Sequence, residues 1–286
     1  MRVLELSDGI LAFYDGRREG ATLEGADWVE YDLVLGLASY AIVDGESALV
    51  YDTHTSPGRG QFVRTELAHR GIEKPTVVLS HWHLDHIAGA AAFADCEIIA
   101  TERTAEHLEE NRAAIESGAF AGPPPIDPVV TPTRTFAESL TLSVGSREAE
   151  LIHVNIHSDD AAVLWLPESR TLLAGDTLED TVTFVDEPES LEAHLGDLDR
   201  LKALGAERIL PAHGDPGVVA GDGYPPGFID ATQAYIRLLI SSREDRTLRD
   251  VPLLEFVNES LAEGSLVYHA PYETVHRENV AKVVTS

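Results

Sequence analysis

The chain opens with short apolar runs broken by turn residues: VLEL at 3–6, ILAFYD at 10–15, SYAIVD at 39–44 and ALVYD at 48–52. Runs of this length, rich in β-branched and aromatic residues, predict strands, and Asp44-Gly45 between the last two predicts a hairpin. A helical stretch at about 60–70 leads to the apolar strand TVVLS at 76–80, and CEIIA at 96–100 follows another short helix. Residues 102–117 have helical composition, with Leu108 and Ile115 seven apart, until GPPPIDPVVTP at 122–132 stops any regular element. A second β-rich half runs through ELIHV at 150–154, AVLWL at 162–166 and TLLA at 171–174, followed by a helix at about 190–205 and a strand at 208–210. Two halves, each of hairpins followed by a helix and a strand, predict an α/β fold of two sheets packed face to face with helices outside. The pattern is that of a single domain over 1–286, with a motif-bearing core at about 38–217 and a mainly helical extension at about 227–286. An insert at about 102–136 is expected either to wall a pocket or to pair with another subunit, which leaves a homodimer open.

Charge narrows the partners. There are 21 basic and 49 acidic residues, a formal net charge of -28, so the average surface repels nucleic-acid phosphates and anionic headgroups. A small-molecule substrate is expected, with no nucleic acid and no membrane. The single cysteine, Cys96, cannot form an intramolecular disulfide and fits a reducing compartment. The start MRVLELSDGILAFYDG meets Asp8 before any long apolar stretch, so it does not read as a signal peptide, and a cytoplasmic location is expected.

The densest chemistry lies in Ser80-His81-Trp82-His83-Leu84-Asp85-His86, where strand TVVLS ends. Imidazole nitrogens and carboxylate oxygens are good ligands for Zn²⁺ and neighbouring divalent ions, and alternate residues of an extended segment point the same way. His81 and His83 can therefore share one metal, while Asp85 and His86, past the turn, can address a second. At this chain's His and Asp frequencies, H-x-H-x-D-H arises by chance in only about one or two chains per thousand of this length, so the pattern points to chemistry. Three further strand ends offer matching ligand types: His157 after ELIHVNI, Asp176 after TLLAG and His213 after RILPA.

With these motifs in order, and with Asp52 in ALVYDTH before them, the sequence resembles the metallo-β-lactamase superfamily, in its glyoxalase II and lactonase-like branch, over roughly residues 38–217. The resemblance implies a four-layer αββα sandwich. It also implies two divalent metal ions, zinc before manganese or iron. One would sit on His81, His83 and His157, the other on Asp85, His86 and His213, with Asp176 bridging and Asp52 orienting a ligand imidazole. The β-lactamase branch carries Cys or Ser where this chain has Asp176, which counts against antibiotic hydrolysis. One departure is Asn155-Ile156-His157-Ser158-Asp159-Asp160, where many members have Gly-His-Thr and then Gly. His153 is thereby a rival ligand, and His157 is preferred because it stands just before strand AVLWL.

The implied activity is hydrolysis of a small ester, lactone or thioester by a hydroxide held between the metals, with Asp85 as the proton-transfer group. The alternative is a mononuclear iron thiol or persulfide dioxygenase using His81, His157 and Asp176; a β-lactamase or a nucleic-acid hydrolase ranks lower. Trp82 is expected in the site wall and Cys96 in the core, and Asp159 and Asp160 in a turn or supporting role. His54 and His194 are weaker candidates for the pocket. Arg237, Arg243 and Arg277 are the scattered charges that a glutathione substrate would need. Tyr224, Tyr268, His269, Tyr272 and His276 of the tail have no role assigned.

Overall fold

A computed structural model describes residues 1–285. In the first sheet β1 (Arg2–Glu5), β2 (Ile10–Asp15), β3 (Leu37–Asp44) and β4 (Ser47–Tyr51) run antiparallel. Then β5 (Thr76–Val78), β6 (Ile98–Thr101) and β7 (Arg134–Phe136) extend it in parallel. Asp44 pairs with Ser47 across the expected hairpin, and Gly45 takes a φ of 61° that a side chain would strain. The second sheet is the antiparallel series β8 (Ser139–Val144), β9 (Arg147–His153), β10 (Ala162–Leu166) and β11 (Thr171–Gly175), closed by β12 (Arg208–Pro211) parallel to β11.

Parallel neighbours need crossovers. Between consecutive strands these contain α2 (Pro57–His69), the short α3 (Leu84–Ile87), α4 (Glu102–Ser117) and α5 (Leu191–Ala203). Local signals fix their starts: Pro57 occupies the first turn of α2, where its missing N–H costs nothing, and the Ser56 side chain caps Arg59 N.

Strand alternation produces the layers. Ile10, Ala12, Tyr14, Tyr40, Ile42, Leu49, Tyr51, Val78 and Ile99 turn to the second sheet, where they meet residues such as Leu151 and Leu164. Their neighbours Leu11, Phe13, Ala41, Val50, Val77 and Ile98 turn the other way and pack with Val63 and Leu67 of α2 and Leu108 and Ile115 of α4. Each such fully buried side chain contributes roughly 1.5–3 kcal/mol of hydrophobic stabilisation. On the far side, α5 joins α7 (Gly227–Ser242) and α10 (Tyr272–Thr285) in covering the second sheet, with the short α6 (Pro216–Ala220), α8 (Leu253–Phe256) and α9 (Asn258–Ala262) nearby. The result is the αββα order, with a helical tail. Three buried tyrosines tie the first sheet to backbone carbonyls around β12 and β10: Tyr40 donates to Pro211 O at 2.6 Å, Tyr51 to Ala162 O at 2.7 Å and Tyr14 to Gly214 O at 2.9 Å. No helix among the described residues is long and apolar enough to cross a membrane.

Three parts of the fold depart from the sequence expectation, strand β8 among them because no strand was expected at 139–144. Residues 134–136, assigned to the insert, form edge strand β7 and are part of the first sheet. Helix α1 (Trp28–Leu35) is absent from the expectation because its apolar residues do not form one stripe: Leu33, Val34 and Leu35 are buried, while Trp28, Tyr31, Asp32 and Leu35 line a pocket. Asp27 caps α1 by accepting from Glu30 N at 2.9 Å.

His194 of α5 is fully buried, with neither ring nitrogen hydrogen-bonded, and burial pushes its pKa down to about 4. An unfolded chain takes up this proton near pH 6.5, before the folded chain does, so stability is expected to fall as the pH drops from about 6.5 to about 4. The loss attributable to this group is on the order of 3 kcal/mol. Urea unfolding of His194→Leu and the parent at pH 7 and pH 4.5 checks it: the parent loses more stability over this interval, and equal losses would refute the assignment.

Candidate metal centre

Each candidate donor sits where a strand gives way to a turn. Beyond β5 the chain runs through His81 and His83 into α3, which carries Asp85 and His86 on a single turn. His157 lies between β9 and β10 with a φ of 71°, a left-handed conformation uncommon for non-glycine residues. Asp176 follows β11 directly after Gly175, whose φ is 55°, and His213 follows β12.

These ends converge on two groups of donors: His81, His83 and His157, and Asp85, His86, Asp176 and His213, with the atoms of each group within 4.8 Å of one another. The groups adjoin through Asp176. Its Oδ2 lies 3.2 Å from His86 Nε2 and 3.4 Å from His213 Nε2, and 3.9 Å from His81 Nε2 and 3.8 Å from His157 Nε2. Asp85 Oδ2 lies 3.0 Å from His86 Nε2 and 3.2 Å from His213 Nε2, while His157 Nε2 and His83 Nδ1 are 2.9 Å apart.

The outward ring nitrogens face oxygens. His86 Nδ1 meets Asp52 Oδ2 at 2.8 Å, His213 Nδ1 meets Gly36 O at 2.9 Å, His81 Nδ1 meets Ser80 Oγ at 3.0 Å and His157 Nδ1 meets Phe184 O at 3.1 Å. His83 is turned over: its Nε2 faces Asp186 Oδ2 at 3.8 Å, leaving Nδ1 inward. Such partners hold the proton of each neutral ring on its outward nitrogen, so that the inward nitrogens, once deprotonated, can offer lone pairs to a metal. Inside the cluster His81 Nε2 and Asp176 Oδ1 are buried without a hydrogen-bond partner. Unpaired buried polar atoms are costly, and a cation between them removes the cost.

Charge is displaced in the same sense. Burial opposes ionising His86 and His213, yet Asp176 and Asp85 outweigh it and hold both imidazoles well above the ordinary histidine range. Burial likewise opposes ionising Asp176 and Asp85, and the neighbouring imidazoles hold both carboxyls well below the usual range. Asp176 and Asp85 thus stabilise positive charge at His86 and His213, whereas burial and the neighbouring His86 and His83 hold His81 well below the ordinary histidine range.

Beside it lies a pocket of about 280 Å³, in whose wall the sequence reading anticipated the insert but not the contributions of α1, α10 and the segment after Asp176. Trp28, Tyr31 and Asp32 come from α1, Phe120 from the insert, Glu179 and Phe184 from the segment after Asp176, and Val275 and Glu278 from α10. Burial and the charge of Asp85 push the Asp32 carboxyl well above its usual range. Trp28 Nε1 donates to Pro124 O at 3.0 Å, tying α1 to the insert. Glu179 was the most accessible of these to sequence inspection, three residues past Asp176. It is buried, lies 3.5 Å from His157 Nδ1 and accepts from Phe184 N and Tyr272 Oη.

The rival His153 stands apart, its Nε2 2.8 Å from Asp159 O. Asp160 accepts from Trp82 N at 2.9 Å and from Thr104 Oγ1 at 2.8 Å, holding the motif segment against α4, and Asp159 pairs with His107 and Arg103. Trp82 stacks on His107 and meets the Phe120 ring edge-on. Cys96 is buried in the core. His54 is buried off the pocket, and burial lowers its pKa to about 3. In the tail, Tyr224 donates to Asp180, and Tyr268 to Glu273; His269 meets Val34 O and His276 meets Tyr235 Oη. Neither these four, nor Tyr272, nor Arg237, Arg243 or Arg277 lines the pocket.

The sequence model of the metallo-beta-lactamase superfamily matches residues 34–213. The chain is 24% identical over 212 residues to the linear primary-alkylsulfatase of a Pseudomonas species, a match covering 60% of this chain and 40% of that protein. It is 28% identical over 199 residues to the 2,4-dinitroanisole O-demethylase subunit alpha of a Nocardioides species, covering 67% of this chain and 56% of the other. The chain therefore spans about half the length of these curated relatives. A metallo-beta-lactamase from Pontibacter korlensis superposes with a TM-score of 0.64 at 19% identity, over 82% of this chain and 98% of its own, a likeness of fold.

Proposed function

The chain belongs to the metallo-β-lactamase superfamily, and on that premise we propose that it is a hydrolase of small esters, lactones or thioesters working with two divalent metal ions, zinc foremost. The observation that carries this is the donor arrangement: outward nitrogens tied to oxygens, with inward His81 Nε2 and Asp176 Oδ1 buried and unpartnered. His81, His83 and His157 would hold one ion, Asp85, His86 and His213 the other, and Asp176 would serve both. Bound there, divalent ions supply Lewis acidity and bring the pKa of water toward neutrality. Asp85 lines the pocket and is assigned the proton: it takes one from the attacking water as the new carbon–oxygen bond forms and delivers it to the departing oxygen or sulfur. Trp28, Phe120 and Phe184 line the same pocket and would limit the access of bulk water to that exchange.

The mononuclear iron alternative uses only His81, His157 and Asp176. It leaves Asp85, His86 and His213 buried together without a task, although Asp52 and Gly36 orient the two imidazoles as carefully as any in the first group. The two-ion assignment is favoured for that reason.

The test is a panel of phenyl acetate, a γ-lactone and an acyl thioester with the zinc-loaded protein, alongside Asp85→Asn at matched metal content. Turnover of a panel member is expected, and the variant should lose about 100-fold or more in kcat with little change in KM. An unchanged kcat would remove Asp85 from proton transfer; oxygen uptake with a thiol and no hydrolysis would replace the hydrolase with the iron enzyme.

A further inference from the structure

The pocket beside the donors is both aromatic and acidic. Trp28, Tyr31, Phe120 and Phe184 supply rings, and Asp32 and Glu278 supply carboxylates in addition to those of the donor cluster, Asp32 within reach of the charge of Asp85. No lysine or arginine lines it among the described residues. The cations nearby are engaged elsewhere. Lys282 lies 4.0 Å over the Phe184 ring, with its Nζ on Val185 O and Asp186. Arg17 is buried against Asp180, and Arg103 is held by Asp159. Five carboxylates line the pocket, one more than two divalent ions neutralise. Whether Asp32 carries a charge or a proton, no lining side chain outside the imidazole cluster offers a positive group to an anion, and the chain's net charge of -28 repels one at long range.

Resting on the hydrolase assignment above, we propose that the non-reacting part of the substrate is apolar, of aromatic size and free of negative charge: the site takes neutral or cationic esters and lactones and rejects anionic ones, glutathione thioesters among them. Rings favour an apolar or cationic group over their faces, and a carboxylate near a ring strengthens the preference for a cation. A substrate sulfonate or carboxylate in the same place would lose its water, gain no donor and face Asp32 and Glu278. Asp32 and Glu278 are therefore assigned as selectivity residues.

Three phenyl acetates that differ only in a ring substituent test this: trimethylammonio, its neutral isostere tert-butyl, and sulfonate. With kcat/KM of the zinc-loaded protein divided by the alkaline hydrolysis rate of each ester, the expected order is trimethylammonio equal to or above tert-butyl, and sulfonate about tenfold or more below. The double variant Asp32→Asn, Glu278→Gln should shrink the tert-butyl to sulfonate ratio about threefold or more. A sulfonate ester handled as well as the tert-butyl ester, or a ratio the double variant leaves unchanged, overturns the proposal. Binding gives a readout independent of turnover. Phenyltrimethylammonium should quench tryptophan fluorescence at lower concentration than benzenesulfonate, because Trp28 lines the pocket. If none of these esters and neither the γ-lactone nor the thioester is cleaved, the hydrolase assignment fails, and the binding order still upholds or overturns the charge preference.

Discussion

Asp176→Ala is expected to leave the zinc-treated protein unable to hold its full metal complement and to lower kcat/KM by about a thousandfold or more, the equivalent of about 4 kcal/mol. The Asp176 Oδ2 comes within 4 Å of four different imidazoles, His86, His213, His81 and His157, whereas Asp85 pairs with His86 and His213. Alanine leaves both groups of nitrogens facing a cavity without the anion that balances them. Asp176→Asn keeps the shape and removes the charge, so it should retain more metal than alanine while still losing most activity. Loading should also depend on pH in a definite direction. In the metal-free protein His86, His213 and His157 have raised pKa values, so protons occupy the nitrogens a metal needs. Affinity should therefore rise with pH through and above the ordinary histidine range, and fall as the solution is acidified. A Asp176→Ala protein that keeps two ions and parental turnover would contradict the shared role.

Asp52→Ala should show the second-largest effect, and on stability as well as metal affinity. The carboxylate is 1% exposed; its Oδ1 accepts from Ser80 N at 2.7 Å, and its Oδ2 meets His86 Nδ1 at 2.8 Å. Removing it strands a backbone donor and an imidazole in the interior. A cost of about 3–5 kcal/mol is expected for breaking a buried charge pair of this kind, read from the urea midpoint of the metal-free protein. Competition with a chelator should show metal affinity falling about 10–100-fold, since His86 loses the group that orients it. Asp52→Asn should recover part of the stability: it can still accept from Ser80 N, and asparagine tolerates the φ of 66° that alanine does not. Equal losses in the two variants would mean that the Ser80 bond and the backbone conformation contribute little.

The donor cluster was legible in the sequence because its residues fall at strand ends, and strand ends were marked by apolar runs followed at once by His or Asp. TVVLS before His81, TLLAG before Asp176 and RILPA before His213 each state in one line both the element and the candidate ligand. His157 was harder, since ELIHV contains an imidazole of its own. The structure separates the two by placing His153 on β9 against Asp159 O and bringing His157 round at a positive φ to His83. Most of the pocket wall was illegible for a different reason. Trp28, Phe120, Phe184 and Glu278 are far apart in the chain and belong to four segments, each with its own local pattern, and only the packing of α1 and α10 beside the sheet ends brings them together. Likewise Asp186, which faces His83, reads locally as one acidic residue among many in a chain with 49 of them. The strand β8 lay in plain alternation, SLTLSV, with Leu142 and Val144 inward, and it was overlooked because its apolar residues are too widely spaced by Ser and Thr to form a run like ELIHV.

Metal content per chain, by elemental analysis of protein purified without added metal and again after zinc loading, tests the central claim most directly. About two divalent ions per chain, with one lost or both weakened in His83→Ala and in His213→Ala, is the result these donors predict. A single iron per chain, unaffected by His213→Ala, would contradict it and leave Asp85, His86 and His213 as a buried hydrogen-bonded cluster beside a mononuclear site.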